Sequence, residues 1–139
     1  MEIKRDDISI NITIEWIRLQ NNFGEPYCWG NKKGTNNDLN WNKSHVIYRW
    51  VQSSNDSIAV VGETNRTISE RTNNYISAKP GSQAGSTNKK VYAENDRLIS
   101  NGDNLYLEIT VSVTGYDLHS DKERKQAEAL LIEYYKPYL

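Results

Sequence analysis

Residues 45–61 predict a β-hairpin, and this hairpin argues against a fold built only from alternating parallel strands and helices. Residues 45–52 are rich in β-branched and aromatic side chains and predict one strand. Residues 53–56, Ser-Ser-Asn-Asp, have turn chemistry. Residues 57–61 predict the returning strand, which we expect to end at Gly62. Strands joined by so short a turn pair antiparallel.

The remaining segments predict helices around one further strand. Thr67-Ile68-Ser69-Glu70 has the pattern of a capping box and predicts the start of a helix that runs to about Ala78. Residues 86–100 predict a second helix, residues 105–114 alternate as a strand, and residues 121–136 predict a last helix that Pro137 ends. We therefore expect an α+β fold in which helices flank a small three-stranded antiparallel sheet.

The first 44 residues predict an N-terminal extension made of a strand and a long loop. Apolar residues alternate strictly with polar ones over residues 8–16, which predicts a half-buried strand. Residues 20–44 are rich in Asn, Gly, Lys and Trp without any period. A structureless loop of this length is uncommon unless it is functional. We expect residues 1–44 to form the extension and residues 45–139 to form the main domain.

Composition limits the classes of function and location. The 139 residues carry a net charge of −1, so the chain lacks the positive excess of a nonspecific polyanion binder. The single Cys28 excludes an intramolecular disulfide and a cysteine-based zinc site, and fits a reducing compartment. Neither a transmembrane run nor the apolar core of a signal peptide is present in the sequence. We expect a soluble cytoplasmic protein without a membrane partner.

Glu128 is the acid whose position most needs an explanation. At 100° per residue it shares a helix face with Leu131, Ile132 and Tyr135, the face that should pack on the protein. Burying an unpaired carboxylate is costly. Glu128 therefore needs an arginine, a metal ion or a water-filled cleft, and Arg124, four residues earlier, is the simplest partner.

Two other polar residues each share a predicted face with an aromatic side chain. Tyr48 shares a strand face with Val46 and Trp50, which fits a core tyrosine as well as a functional one. Arg71 lies four residues before Tyr75 on one helix face, and taken alone it also fits a surface arginine.

A weaker set of basic residues is a candidate for nucleic-acid binding. Arg66, Lys89 and Lys90 are either a patch that faces phosphates or an ordinary solvated edge. The phosphate-loop, dinucleotide-binding and nucleophile-elbow motifs are absent from the sequence. The two histidines, His45 and His119, stand apart in the sequence and predict ordinary polar positions rather than a metal site.

The order of these features resembles the GIY-YIG nuclease superfamily over residues 45–139. The first motif resembles Val46-Ile47-Tyr48 and the second resembles Val60-Val61-Gly62, which a helix bearing Arg71 and Tyr75 follows directly. The family's ending is similar to Glu128-x-x-Leu131-Ile132 followed by Pro137.

The resemblance implies a metal-dependent endonuclease that hydrolyses DNA phosphodiester bonds, and a restriction-type enzyme is one form it takes. Tyr48 would be the general base that activates water, and Arg71 would stabilise charge on the phosphate. Glu128 would bind one divalent cation, Mg²⁺ or Mn²⁺, and Tyr75 would lie near the leaving group. The partner would be DNA, and the protein would form a homo-oligomer, a dimer or larger.

Three departures from the family pattern keep other functions open. Val46 replaces the first glycine, Val60 replaces the second tyrosine, and the acid Glu63 stands where a basic residue is common. The alternative is therefore a catalytically decayed GIY-YIG-fold module that binds nucleic acid without cutting it. A third hypothesis is an interaction domain in which Tyr48, Arg71 and Glu128 do not converge. The extension either supplies a DNA-reading or dimerising surface or simply covers the sheet edge.

Overall fold

The computed structural model describes residues 2–7, 11–29, 33–34 and 39–139. Within these ranges it has an α+β architecture of four strands and three helices. In chain order these elements are β1 (Ile17–Arg18), β2 (Val46–Gln52), β3 (Ile58–Thr64), α1 (Ile68–Ile76), α2 (Ser86–Ser100), β4 (Leu105–Thr110) and α3 (Asp121–Tyr135). No helix in the described ranges is both long enough and apolar enough to span a bilayer.

The sheet is antiparallel and has four strands in the order β1-β4-β2-β3, so the prediction of three strands is wrong. The extra strand comes from the extension, where Ile17 and Arg18 pair with Ile109 and Glu108 of β4. At this position the extension covers a sheet edge that would otherwise expose unpaired backbone groups.

The strand predicted over residues 8–16 is not where the extension joins the sheet. Residues 8–10 lie outside the described ranges, and residues 11–16 form no strand. Ile14 and Trp16 are half-buried, and the Trp16 indole donates a hydrogen bond of 3.1 Å to the Tyr135 hydroxyl on α3. The alternation there reflects burial of one side of the segment against α3 rather than pairing with a strand.

The hairpin of β2 and β3 is confirmed, but β3 is longer than predicted. Gly62 lies inside the strand, opposite Tyr48, and pairing continues to Thr64. Hydroxyl groups of Ser53 and Ser54 in the turn both donate to the carboxylate of Asp103, each at 2.5 Å. These bonds join the hairpin turn to the segment that leads into β4.

The helix predictions are confirmed with small changes at the ends. The Thr67 hydroxyl accepts a hydrogen bond of 3.2 Å from the Glu70 backbone N–H, as the capping-box pattern predicts. The second helix has the predicted bounds, Ser86–Ser100. After α3, Lys136 adopts a left-handed conformation with φ of 49°, and Pro137 follows it.

Helices cover both faces of the sheet. Tyr48, Trp50 and Val60 lie in a core with Tyr75 of α1 and Val91 of α2. Apolar side chains of the extension fill the same core: Leu19, Tyr27, Trp29 and Trp41.

A second core forms on the opposite face of the sheet. Ile47 and Val61 lie there with Ala127 and Leu131 of α3. Successive residues of β3 point to opposite faces of the sheet. The outer edge of β3 therefore lies between the layer of α1 and α2 and the layer of α3.

Candidate active site

Tyr48 lies against the backbone of the strand beside it. Its cross-strand partner is Gly62, and a Cβ at position 62 would lie 2.3 Å from the Tyr48 hydroxyl oxygen. No real side chain fits at that distance. Gly62 is therefore required by the position of the phenol.

Arg71 reaches Tyr48 from the first turns of α1. Its Nε donates a hydrogen bond of 3.0 Å to the Tyr48 hydroxyl, and its Nη2 donates one of 3.0 Å to Oδ1 of Asn88 on α2. The guanidinium also lies 4.0 Å from the centre of the Tyr75 ring, within the range of a cation–π contact. Three elements, β2, α1 and α2, thus fix the orientation of this arginine.

Tyr75 completes a hydrogen-bonded pair of phenols. Its hydroxyl lies 2.8 Å from that of Tyr48, and each residue is only 2 % exposed. Burial raises the pKa of Tyr48 well above 10, and Tyr75 raises it further, whereas Arg71 acts to lower it. Burial also raises the pKa of Tyr75. Both phenols are therefore neutral at physiological pH.

Glu128 acts on the same cluster from α3. The carboxylate is half-buried and forms no ion pair with any residue in the described ranges. Burial raises its pKa, and the charge of Glu63 adds to the effect, while the backbone of Glu63 and the cations Lys125 and Arg124 oppose it. The charge of Glu128 in turn raises the pKa of Tyr75, although burial is the largest cause of that increase.

Arg124 does not pair with Glu128, so that part of the prediction is wrong. It is 2 % exposed, and its Nε donates to Glu63 at 2.6 Å while its Nη2 donates to Asp121 at 2.6 Å. A third bond of 3.0 Å reaches the carbonyl of Leu118. These three acceptors turn the guanidinium toward β3 and the start of α3, and they leave Glu128 without an arginine. The same contacts pair Glu63 with a cation, although its charge still raises the pKa of Glu128.

A pocket of about 270 Å³ opens next to Arg71. We call it the anion pocket, because its walls include the cations Arg66, Arg71 and Lys125, which form no ion pair with any residue in the described part of the chain. Tyr48 and Tyr75 lie beneath the Arg71 guanidinium rather than in the pocket wall. Of the four predicted catalytic residues, Arg71 is therefore the one that meets solvent in this pocket.

The weaker basic set does not share one pocket. Arg66 lines the anion pocket, whereas Lys90 lines a second cavity of about 520 Å³. Lys89 is half-buried on α2 and lines neither of these two cavities. The two lysines adjacent in sequence thus point in different directions from one helix.

The carboxylates fit a weakly held hard cation better than a preformed metal cage. In the described ranges no group of three or more His, Cys, Asp and Glu side chains could hold a metal. His45 and His119 stack on each other, with ring centres 4.8 Å apart, rather than converging on a point. Glu128, an oxygen donor beside Glu63 and without an ion pair, suits Mg²⁺, which takes most of its ligands from water and substrate.

Three residues make contacts at the site that the sequence does not predict. Asn88 and Arg124 look like ordinary helix residues, and only the packing of α2 and α3 brings them to the site. Gly62 is predicted as a strand end, although its real importance is the contact with Tyr48. No family model, curated protein or solved structure matches this chain, and the resemblance to the GIY-YIG superfamily stays a prediction carried by the residues themselves.

Proposed function

We propose that this chain is a metal-dependent endonuclease that hydrolyses DNA phosphodiester bonds, as the GIY-YIG resemblance implies. The observation that carries the proposal is a cluster of side chains around the Tyr48 hydroxyl. Arg71 donates a hydrogen bond to this hydroxyl, and the Tyr75 hydroxyl is hydrogen-bonded to it. The charge of Glu128 raises the pKa of Tyr75. These residues come from β2, α1 and α3, far apart in the sequence. Phosphodiester hydrolysis needs donors for the developing charge, an activated water and a cation on the phosphate.

Arg71 is the residue suited to hold the phosphate. Its bonds to Tyr48 and Asn88 fix the guanidinium but leave other N–H groups free to face the anion pocket. The planar fork of an arginine matches two phosphate oxygens at once. Because the fork is already fixed, little side-chain entropy is lost when the phosphate binds.

Tyr48 is a neutral phenol in the free protein. Its buried hydroxyl accepts a hydrogen bond from Arg71, and its raised pKa opposes a role as a base without further positive charge. A divalent cation held by Glu128 and by substrate oxygens would supply that charge and would also activate a water. Until then Tyr48 orients Arg71, and Tyr75 holds the Tyr48 hydroxyl in place.

Glu128 is the residue suited to hold the cation. A half-buried carboxylate beside a second acid is unfavourable alone, and a bound cation removes that cost. Its raised pKa means that cation binding competes with a proton and weakens as the pH falls.

The proposal is tested with supercoiled plasmid DNA and Mn²⁺ or Mg²⁺. The wild-type protein should convert the plasmid to nicked and linear forms, and chelation should stop the reaction. Glu128→Gln should lose this activity, whereas Asp96→Asn, an exposed acid on α2, should keep it. Equal cutting by wild type and Glu128→Gln would reject the metal role of Glu128.

We also propose that the active form is a homo-oligomer, because cutting both strands of a duplex requires two centres. Sedimentation with and without DNA measures this directly. A monomer that still makes double-strand breaks at one site in a single binding event would contradict it.

A second candidate function is a decayed module that binds DNA without cutting it. Two observations favour it: Tyr48 is 2 % exposed with a raised pKa, and Val60 has no hydroxyl at the second motif position. This candidate predicts a DNA complex with no cleavage at any concentration of divalent cation. Nicking that depends on Glu128 would eliminate it.

A further inference from the structure

The 520 Å³ cavity lies on the opposite side of the catalytic cluster from the anion pocket. On β3, Val60 and Val61 line this cavity, whereas Glu63 and Thr64 line the anion pocket. Gly62, which contacts Tyr48, is the residue between them.

The order of residues on α3 gives the same arrangement. Arg124 and Lys125 line the anion pocket, and Ile132 and Lys136 line the larger cavity. Glu128 lies between these pairs. The two openings therefore lie on either side of Gly62 and Glu128 along the outer edge of β3, and the anion pocket is the proposed phosphate site.

The chemistry of the larger cavity is mixed in a particular way. Its walls are mostly apolar and come from β3, α2, α3 and the segment after α3. The apolar residues include Val60, Val61, Val91, Ile132 and Leu139. Its polar lining includes the cations Lys90 and Lys136, neither of which is ion-paired with any residue in the described ranges. An apolar wall with nearby cations suits a flat, weakly polar ring attached to an anion.

We propose that this cavity binds the base of a nucleotide next to the scissile phosphate, with Lys90 and Lys136 facing that nucleotide's own phosphate. The inference rests on the proposed function and adds a specificity site to it. The volume falls within the range of about 300–1,000 Å³ typical of small-molecule sites.

The distance from Glu128 to the cavity agrees with the position of a neighbouring nucleotide in a DNA strand. Ile132 follows Glu128 by one helical turn, which is about 6 Å along the axis at the usual rise. Successive nucleotides of one strand are about 3.4 Å apart along a duplex. The cavity thus lies within about two nucleotides of the proposed cation.

Val60 explains why the space exists in this chain. It stands where the second motif of the resemblance carries tyrosine, and it lines the cavity directly. A phenol at that position would project into the same volume. The substitution therefore exchanges a hydroxyl for room to admit a ring.

Two further polar groups of the lining can contact the edge of a base. Thr87 offers a hydroxyl, and Glu133 offers a carboxylate, which accepts hydrogen bonds from exocyclic amines. Thymine has no exocyclic amine, so we expect Glu133 to favour cytosine, adenine and guanine over thymine.

The first test follows the methyl resonances of Val60, Val91 and Leu139 by NMR. The probes are deoxycytidine 5′-monophosphate, deoxyribose 5-phosphate and inorganic phosphate. We expect the nucleotide to shift these methyl signals, with at least tenfold weaker binding of the two probes that lack a base. Ile132→Trp, a change at a partly exposed position, should fill the cavity and abolish the shifts, whereas Lys122→Ala on the same helix should not. Equal effects from all three probes, or methyl signals that the nucleotide leaves unshifted, would overturn the inference.

The second test uses the full DNA substrate bound to Glu128→Gln. A series of duplexes carries one abasic nucleotide each, at a different position in every duplex. The affinity of the protein for each duplex is measured by fluorescence anisotropy. One abasic position near the cleavage site should weaken binding about tenfold, and the penalty should disappear in the double variant with Ile132→Trp. Equal penalties with and without that change would overturn the inference.

Failure of the proposed function gives a different result. Loss of plasmid cleavage in the wild type together with nucleotide-dependent methyl shifts would overturn the nuclease proposal and leave the nucleotide site. Plasmid cleavage without methyl shifts and without a position-specific abasic effect would overturn the nucleotide site and leave the nuclease proposal.

Discussion

The phenol of Tyr48 occupies the space that any side chain at position 62 would need, since a Cβ on Gly62 would lie 2.3 Å from the Tyr48 hydroxyl oxygen. The same hydroxyl accepts the hydrogen bond from Arg71. A side chain at position 62 would therefore displace Tyr48 and, through Tyr48, disturb Arg71, the proposed phosphate-binding residue.

Gly62→Ala should displace Tyr48 and lower the free energy of unfolding by about 1–3 kcal/mol, the usual cost of overpacking a core. Urea unfolding at equilibrium measures this loss. Gly85→Ala is the matched control, because a Cβ at Gly85 meets nothing within 4 Å. Its cost should be smaller, limited to the weaker preference for alanine at a helix N-cap. Equal losses in the two variants would contradict the contact.

Tyr75→Phe should remove the hydrogen bond to Tyr48 at a cost of about 0.5–1.5 kcal/mol. It should also lower the pKa of Tyr48, because Tyr75 is one of the groups that raise it, although burial keeps that pKa above its ordinary value. Spectrophotometric titration of tyrosine measures the change. Tyr134→Phe, at an exposed position, is the control and should leave the Tyr48 titration unmoved. An unchanged Tyr48 titration in Tyr75→Phe would count against the pairing of the phenols.

Arg124→Ala should destabilise the protein by about 3 kcal/mol, because it leaves Glu63 without its cation and the Leu118 carbonyl without its donor. Glu63→Gln should cost less, since an amide still accepts a hydrogen bond from the guanidinium. Thermal unfolding compares the two variants. Arg5→Ala, which removes an exposed ion pair with Asp7, should have no measurable effect. A loss for Arg124→Ala as small as this control would contradict the structural role of Arg124.

Glu128→Gln should make the protein more stable at neutral pH. The pKa of Glu128 is raised above 4.5, so the folded protein holds this proton more tightly than the unfolded chain does. The protonated Glu128 side chain therefore contributes its full stability at a pH below its pKa in the unfolded chain. This contribution is lost as the pH rises through the pKa of Glu128 in the folded protein. The variant should therefore gain up to about 1 kcal/mol at pH 7.

The gain in Glu128→Gln should fade as the pH falls toward 4, where the wild-type carboxyl is also neutral. Urea unfolding at several pH values tests this dependence. A loss of stability in the variant at pH 7 would mean that the carboxylate has a favourable partner in the fold.

Features set by local chemistry could be predicted from the sequence. The helix cap at Thr67 and the hairpin turn both depend on residues close together in the chain, and the structure has both. The second bond of the capping box differs, because the Glu70 carboxylate accepts from the Thr67 hydroxyl at 3.1 Å instead of from the Thr67 backbone N–H. The bounds of α2 also agree, because Gly102 follows its end. Local hydrogen bonds and turn preferences decide these features without tertiary contacts.

Features set by long-range packing could not be predicted in the same way. The alternation of Ile14 and Trp16 comes from contact with α3, and the pairing of the extension with the sheet is made by Ile17 and Arg18 instead. Arg124 is four residues from Glu128, yet it pairs with Glu63 on β3. Periodicity shows which side of a segment is buried but does not identify what covers it.

The candidate site shows the same division. The motifs predicted Tyr48, Arg71, Tyr75 and Glu128 as one set, and the structure brings Arg71 into direct contact with Tyr48 and Tyr75. The roles that the resemblance implies for these residues stay predictions. The strand face that Tyr48 shares with Val46 and Trp50 fits a core tyrosine, and Tyr48 is buried in the structure. The separation of Lys89 from Lys90 depends on how α2 packs on the sheet, and sequence spacing alone carries no information on it.

Single-turnover cleavage of DNA in Mn²⁺ tests the central claim most directly, with wild type, Arg71→Ala, Glu128→Gln and Asp96→Asn compared at saturating protein. We expect wild type and Asp96→Asn to cut at the same rate and each site variant to lose at least about 100-fold. Glu128→Gln should fold and bind DNA normally, so its loss reports on chemistry. Cleavage by Arg71→Ala and Glu128→Gln at the wild-type rate would contradict the account.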